Sequence, residues 1–175
     1  MHFPNFGVHI RSNMERFAIP GAGAIIRRSD SGYERILLQE RCKKDAPLEN
    51  GLLEIPAGKI REFESVFDTI RREVKEETGL EIVKIEGEEE ASFHVANGYR
   101  VLNFKPFSCS QNLEGSYPIM VFIFICTAEG LLLRDSNEAK NYMWVGKDEL
   151  SKMLEETPER IYPMHMDTLH AYLKR

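Results

Sequence analysis

Cysteine is scarce in this chain, tryptophan scarcer, and positive charge is in deficit. Three cysteines, Cys42, Cys109 and Cys126, lie far apart in 175 residues. They form neither a disulfide framework nor a metal-ligand spacing. Against 28 Asp and Glu stand only 23 Lys and Arg, a net charge of −5. Nucleic-acid clamps carry the opposite balance, because their affinity rests on neutralising phosphates. A duplex partner is therefore not expected. Long apolar runs are missing too. The longest, residues 119–126, has eight residues, well short of the ~18 that a membrane span requires. Residues 1–10 show neither the basic nor the apolar region of a secretory leader. With the cysteine usage, this sets the expectation of a cytoplasmic chain without a membrane partner. The five histidines, His2, His9, His94, His165 and His170, have no ligand-pair spacing on one helix face, so zinc is not indicated.

What is present is a globular composition, 42% hydrophobic and 29% charged, at a length that suits one domain spanning residues 1–175. Residues 17–28 and 33–40 read as two strands joined through the turn Ser29, Asp30, Ser31 and Gly32. Residues 45–51 form a loop, and a short strand over 52–55 stops at Pro56. A helix is expected over 65–78 and a strand over 82–85. Residues 92–96 pair with 99–104 across Asn97 and Gly98, a favoured two-residue hairpin turn. Residues 106–116 read as a polar loop. The apolar run over 119–127 is the central-strand candidate, since continuous apolarity suits a strand covered on both faces. A strand over 142–145 and helices over 147–155 and 164–173 complete an α/β layered pattern without internal repeats.

The helix over 65–78 carries its charges in awkward places. Ser65 is a plausible N-cap with Asp68 three residues on, and Gly79 is a good terminator. At about 100° per residue Val66, Phe67, Ile70 and Val74 share one stripe, while Glu73 and Glu77 fall on or against it and Glu76 lies beside it. All three acids occupy the last two turns, where the helix dipole disfavours negative charge by a few tenths of a kcal/mol each, roughly. Glu73 also forms like-charge pairs with Glu76 and Glu77. A solvated acidic face would account for the composition. A hard divalent cation would account for the placement as well.

The sequence just before the helix adds weight to the second reading. Gly58, five residues, Glu64, seven residues, then Arg72, Glu73, Val74, Lys75, Glu76, Glu77, Thr78, Gly79 and Leu80 match every specified position of the Nudix hydrolase signature, GX₅EX₇REUXEEXGU with U apolar. The chain resembles this family, of which MutT-like proteins are members, in the box 58–80 and more loosely over about residues 17–154. The resemblance implies an α/β/α sandwich with a mixed β-sheet and a loop-helix-loop catalytic motif. It implies divalent-metal-dependent hydrolysis of a phosphoanhydride in a nucleoside diphosphate linked to another moiety, with Mg²⁺ or Mn²⁺ as cofactor. Glu73, Glu76 and Glu77 would be the metal carboxylates, and the carbonyl of Ala57 a backbone ligand. Glu64 and Arg72 would fix the loop and orient the glutamates. The general base would be either a box glutamate or a carboxylate on a distant loop, for which Glu138 is the candidate with Asp135 behind it.

Arg41, followed by Lys43 and Lys44, lies in a segment that often faces the phosphates in the family, and Tyr117, Tyr99 and Phe107 are aromatic candidates for stacking on a base. Pro56, Ala57 and Gly58 resemble the lead-in of the branch acting on ADP-ribose and nucleotide sugars. Residues 37–41 resemble instead the upstream strand of enzymes that clear nucleoside triphosphates. The downstream proline of the ADP-ribose branch is missing near Val95 and Ala96, and the coenzyme A motif is unmatched. Three readings follow: an ADP-ribose or nucleotide-sugar hydrolase, a nucleoside triphosphate pyrophosphohydrolase of the house-cleaning type, and a non-catalytic nucleotide-sensing module. A homodimer is a further expectation drawn from the family.

Overall fold

The computed structural model describes residues 16–30, 32–44 and 46–175. Residues 1–10, read above for leader character, with His2 and His9, Ser31 of the first turn and Asp45 of the first loop, lie outside the described residues. The strands are β1 (Ile19–Asp30), β2 (Tyr33–Arg41), β3 (Leu53–Glu54) and β4 (Ala57–Lys59) ahead of helix α1 (Val66–Thr78). After it come β5 (Glu81–Ile85), β6 (Ser92–Ala96), β7 (Tyr99–Asn103), β8 (Ser108–Gln111), β9 (Ile119–Glu129) and β10 (Ala139–Gly146), then α2 (Lys147–Glu156) and α3 (Met166–Leu173).

One mixed sheet runs in the order β10-β2-β1-β9-β5, with β3 on β2, β4 on β1 and β8 on β9; the hairpin β6-β7 stands apart. At its centre β1 and β9 pair in parallel from Ile19 with Ile119 to Arg27 with Thr127. These strands alternate between two cores, as period-2 side chains must. Ile25, Ile36, Leu38, Ile123 and Ile125 join one core with Leu150 and Leu154 of α2 and Leu169 and Tyr172 of α3. Ala24, Ile26, Leu37 and Phe124 join the other, with Val66, Phe67, Ile70 and Val74 of α1. Helices thus cover both faces, which gives the expected α/β/α sandwich and explains why residues 119–126 are apolar throughout.

Two elements correct the sequence reading. Residues 106–116 contain β8, a strand of serine, cysteine and glutamine that pairs with β9 from Ser108 with Ile123 to Gln111 with Met120. Its order comes from backbone pairing rather than from apolar side chains. The box itself begins in a strand, β4, antiparallel to β1 with Ala22 opposite Gly58 and Gly23 opposite Ala57. Gly23 permits that approach, since a Cβ there would lie 2.7 Å from the Ala57 Cβ and 2.9 Å from the Pro56 carbonyl oxygen. The hairpin turn is as expected, with φ of 51° at Asn97 and 80° at Gly98. Among the described residues no helix is long and apolar enough to cross a membrane.

Candidate active site

Helix α1 has both ends fixed by local chemistry. The Ser65 hydroxyl accepts from the Asp68 amide at 3.1 Å. Gly79 takes φ 80°, with its N–H on the Lys75 carbonyl. Val66, Phe67, Ile70 and Val74 are buried, and so is Glu77, at 3% exposure. The Glu73 side chain is 15% exposed and that of Glu76 is 54% exposed. The charge conflict noted in the sequence is therefore concentrated in Glu77.

Each box residue has a definite neighbour. Arg72 forks onto Glu64, with Nε 2.7 Å from Oε1 and Nη2 2.8 Å from Oε2. The same guanidinium donates to Glu73 and, at 3.1 Å, to the Lys59 carbonyl. It also stands 3.4 Å from Glu76. Arg72 thus ties the loop to the helix and reaches both neighbouring glutamates. The Glu64 carboxylate also accepts from the Arg61 amide and the Thr69 hydroxyl. These bonds, Arg72 foremost, hold its pKa down to about 2. Glu77 accepts from Gln39 Nε2 at 2.7 Å and from the Ala57 amide at 3.3 Å. Burial pushes its pKa up, a shift opposed by Lys43 and reinforced by Glu54.

Glu73 borders a cavity of about 190 Å³ whose wall also includes Ala57, Gly58, Arg41, Lys43, Tyr117 and Glu138. Lys43 links the buried Glu77 to this wall, with Nζ 3.5 Å from Glu77 Oε1 and 2.7 Å from Glu138 Oε2. The Cys42 amide donates to the Glu138 carbonyl at 2.7 Å, which fixes the distant loop against the end of β2. Glu138 is thus brought to the site. Asp135 is bridged to Lys140 and takes no part in the cavity wall. Tyr117 is in the wall with Lys59 Nζ 5.1 Å from its ring centroid. Tyr99 is exposed on the hairpin, and Phe107 packs on the first core.

Arg41 reaches the cavity as a buried anchor. Its guanidinium donates to Glu54 and, at 2.6 Å, to Glu49, and it lies 4.1 Å over the Tyr162 ring. Sequence reasoning missed Glu54, Tyr162 and His165. Glu54 had a faint signal, a charge between Leu53 and Ile55 in a strand that is otherwise apolar. Tyr162 and His165 had none, because only the tertiary fold brings them to the site. Ile161 bridges Leu53 in parallel, and the Tyr162 amide donates to the Leu53 carbonyl at 2.8 Å.

The donor set suits a hard divalent cation. It consists of carboxylates with the Ala57 backbone beside Glu77, and Glu54 adds a buried oxygen, Oε1, with no hydrogen-bond partner among the described residues. A carboxylate as buried as Glu77 is stabilised by any cation placed against it. Among the described residues no three acidic, cysteine or histidine side chains already converge at ligand spacing. Glu73 is turned toward Arg72, and Glu76 points outward to Arg61 and Arg72.

A NUDIX domain model matches residues 18–165, and the chain belongs to the Nudix family. Over 67 residues it is 40% identical to the methanol dehydrogenase activator of Bacillus methanolicus. Over 66 residues it is 39% identical to the ADP-ribose pyrophosphatase of Bacillus subtilis (strain 168). Each alignment covers 38% of this chain and 34% of the relative, so the match spans about a third of these curated relatives. Among solved structures, the NUDIX domain of Shewanella oneidensis NrtR complexed with ADP ribose superimposes with a TM-score of 0.62 at 13% identity, covering 92% of this chain and 90% of that one. That likeness is one of fold.

Proposed function

We propose that this chain is a pyrophosphohydrolase that cleaves the phosphoanhydride of a nucleoside diphosphate linked to a second moiety, of the ADP-ribose or nucleotide-sugar type, with Mg²⁺ or Mn²⁺ bound. The observation that carries the reading is a cavity walled by Glu73, Ala57, Gly58 and Glu138, where Lys43 bridges Glu138 to the buried Glu77. Similarity to the Bacillus subtilis ADP-ribose pyrophosphatase favours that substrate branch over nucleoside triphosphates.

Glu73, Glu76, Glu77 and the Ala57 carbonyl would hold the metal, which when bound supplies charge neutralisation at the phosphate oxygens and a more acidic water. The protein's own part is positional. Arg72 and Glu64 hold the box loop on α1, so that Glu73 stays over Gly58. Lys43 places positive charge at the cavity wall, where it would face phosphate oxygens. Glu138, with its side chain 54% exposed, is the distant-loop carboxylate that would take a proton from a water at the cavity. Incubation with Mg²⁺ and ADP-ribose, nucleotide sugars, diadenosine polyphosphates and nucleoside triphosphates, followed by AMP or phosphate release, tests the proposal. Turnover of ADP-ribose or a nucleotide sugar is the expected result. Metal binding without release from any of these compounds would point instead to a nucleotide sensor.

A further inference from the structure

The C-terminal segment contributes a group to the cavity that the box does not explain. His165 ends the short turn Pro163–His165. It is 2% exposed, yet it forms part of the same cavity wall as Glu73, Lys43 and Glu138. Its main chain is fixed, with the His165 amide on the Tyr162 carbonyl at 2.9 Å. Its ring is fixed as well. The Tyr162 ring meets it edge to face at 5.4 Å, and the Ile55 amide donates to Nδ1 at 3.3 Å.

That last bond determines the tautomer. A nitrogen that accepts from an amide cannot carry the ring proton, so a neutral His165 is protonated at Nε2. Neutrality is favoured by burial first and then by the nearby charges of Arg41 and Lys43, which together take the pKa down to about 3. Two cations of this wall, Arg41 and Lys43, are already engaged with Glu54, Glu49, Glu77 and Glu138, and a third, Lys59, lies 5.1 Å from the Tyr117 ring centroid. His165 is thus a neutral donor, with a fixed tautomer, in a wall whose other side-chain nitrogen donors are charged. The one side-chain hydrogen bond of His165 among the described residues is that at Nδ1, and a ring N–H at a cavity wall gains from an acceptor supplied there.

We infer that His165 binds substrate directly, its Nε2–H donating to an oxygen of the bound phosphate or sugar. The inference rests on the proposed function only in taking this cavity as the substrate site. It assigns His165 no proton transfer, because a ring held neutral has the same charge before and after binding. Its contribution is orientation by a hydrogen bond that does not change with pH.

The test compares wild type, His165→Phe and His165→Gln in ADP-ribose hydrolysis with Mg²⁺, with thermal unfolding measured on each. Glutamine can present an amide N–H near the Nε2 position, whereas phenylalanine cannot. The expected result is a KM for His165→Phe raised about two- to tenfold, the value of one neutral hydrogen bond, with a smaller fall in kcat. His165→Gln recovers part of that loss. Both variants keep the pH limbs of wild-type kcat/KM, and loss of a limb would overturn the inference by showing that the ring transfers a proton. Independently of either variant, wild type labelled with ¹⁵N-histidine should show Nδ1 unprotonated and Nε2 protonated near neutral pH, and the Nε2–H resonance should move when AMP and Mg²⁺ are added. A wild type that turns over ADP-ribose while His165→Phe keeps its KM, or while that resonance stays still as AMP binds, would overturn this inference alone. A wild type that neither hydrolyses any compound of the substrate panel nor binds AMP would overturn the site assignment and this inference with it.

Discussion

The Glu73 carboxylate fills the space into which residue 58 would project a side chain. A Cβ on Gly58 would stand 1.9 Å from the carboxylate carbon and 2.2 and 2.3 Å from its oxygens. The space at the head of the box is therefore taken by the end of an acid side chain fifteen positions later in sequence. In Gly58→Ala, Glu73 must leave its place over β4. The variant should remain folded, with Mn²⁺ affinity by titration calorimetry lowered at least tenfold. Wild-type affinity in Gly58→Ala would mean that Glu73 does not hold the metal from this position.

Glu77 poses the opposite case, a side chain that fits its place but carries an awkward charge. In Glu77→Gln the packing is kept and the desolvated charge is removed, so the metal-free protein should unfold at a temperature equal to or above that of wild type. Metal-dependent turnover should fall by orders of magnitude. Retained turnover in this variant would remove Glu77 from the site.

Lys43 acts as the resident counter-ion of that carboxylate, lying between Glu77 and Glu138. Replacement by methionine keeps the stem but leaves buried Glu77 without its cation, a loss of about 1–3 kcal/mol for an unsatisfied buried group. Calorimetric scans should show Lys43→Met destabilised without metal and largely restored in saturating Mg²⁺. A deficit of the same size with and without metal would show that Lys43 serves packing alone.

How far the sequence discloses this site depends on which interactions are local. Helix α1 was legible because its cap, its stripe and its glycine stop are all written within fifteen residues, and the misplaced charge of Glu77 showed on the same wheel. The hairpin turn at Asn97 and Gly98 was legible because two positive φ angles select those residues. Strands β4 and β8 were not, since neither has an apolar face of its own and both are ordered by backbone bonds to β1 and β9. Glu138 stands ahead of Asp135 already in the sequence, but what holds it at the site is tertiary, the Cys42 amide on its carbonyl and Lys43 on its carboxylate. Arg41 was named for phosphate contact, whereas its terminal nitrogens are taken up by Glu54 and Glu49. Tyr162 and His165 reach the cavity only through pairing of residue 161 with residue 53, which no local pattern encodes.

The buried imidazole also predicts how stability depends on pH. The pKa of His165 is about 3 in the folded chain against 6.5 for an ordinary histidine. Below 6.5 the unfolded chain therefore binds a proton that the folded chain refuses. The stability contributed by the neutral ring is full above 6.5 and is lost as pH falls toward 3, with a limiting slope of about 1.4 kcal/mol per pH unit. Glu64, depressed from 4.5 to about 2, adds a loss of the same sign, but only below about pH 4.5. Between pH 6.5 and 4.5 the two are separable. Glu77, raised by burial, contributes the opposite slope over the same window, since the folded chain keeps a proton there that the unfolded chain has lost. Urea unfolding at half-unit steps is therefore read as a difference between proteins. On acidification wild type should lose stability relative to His165→Phe whatever the absolute stability of either. Glu64→Gln should keep the wild-type slope there and flatten only the more acid part. Equal slopes for wild type and His165→Phe between pH 6.5 and 4.5 would show that the imidazole protonates as readily in the folded chain as in the unfolded one.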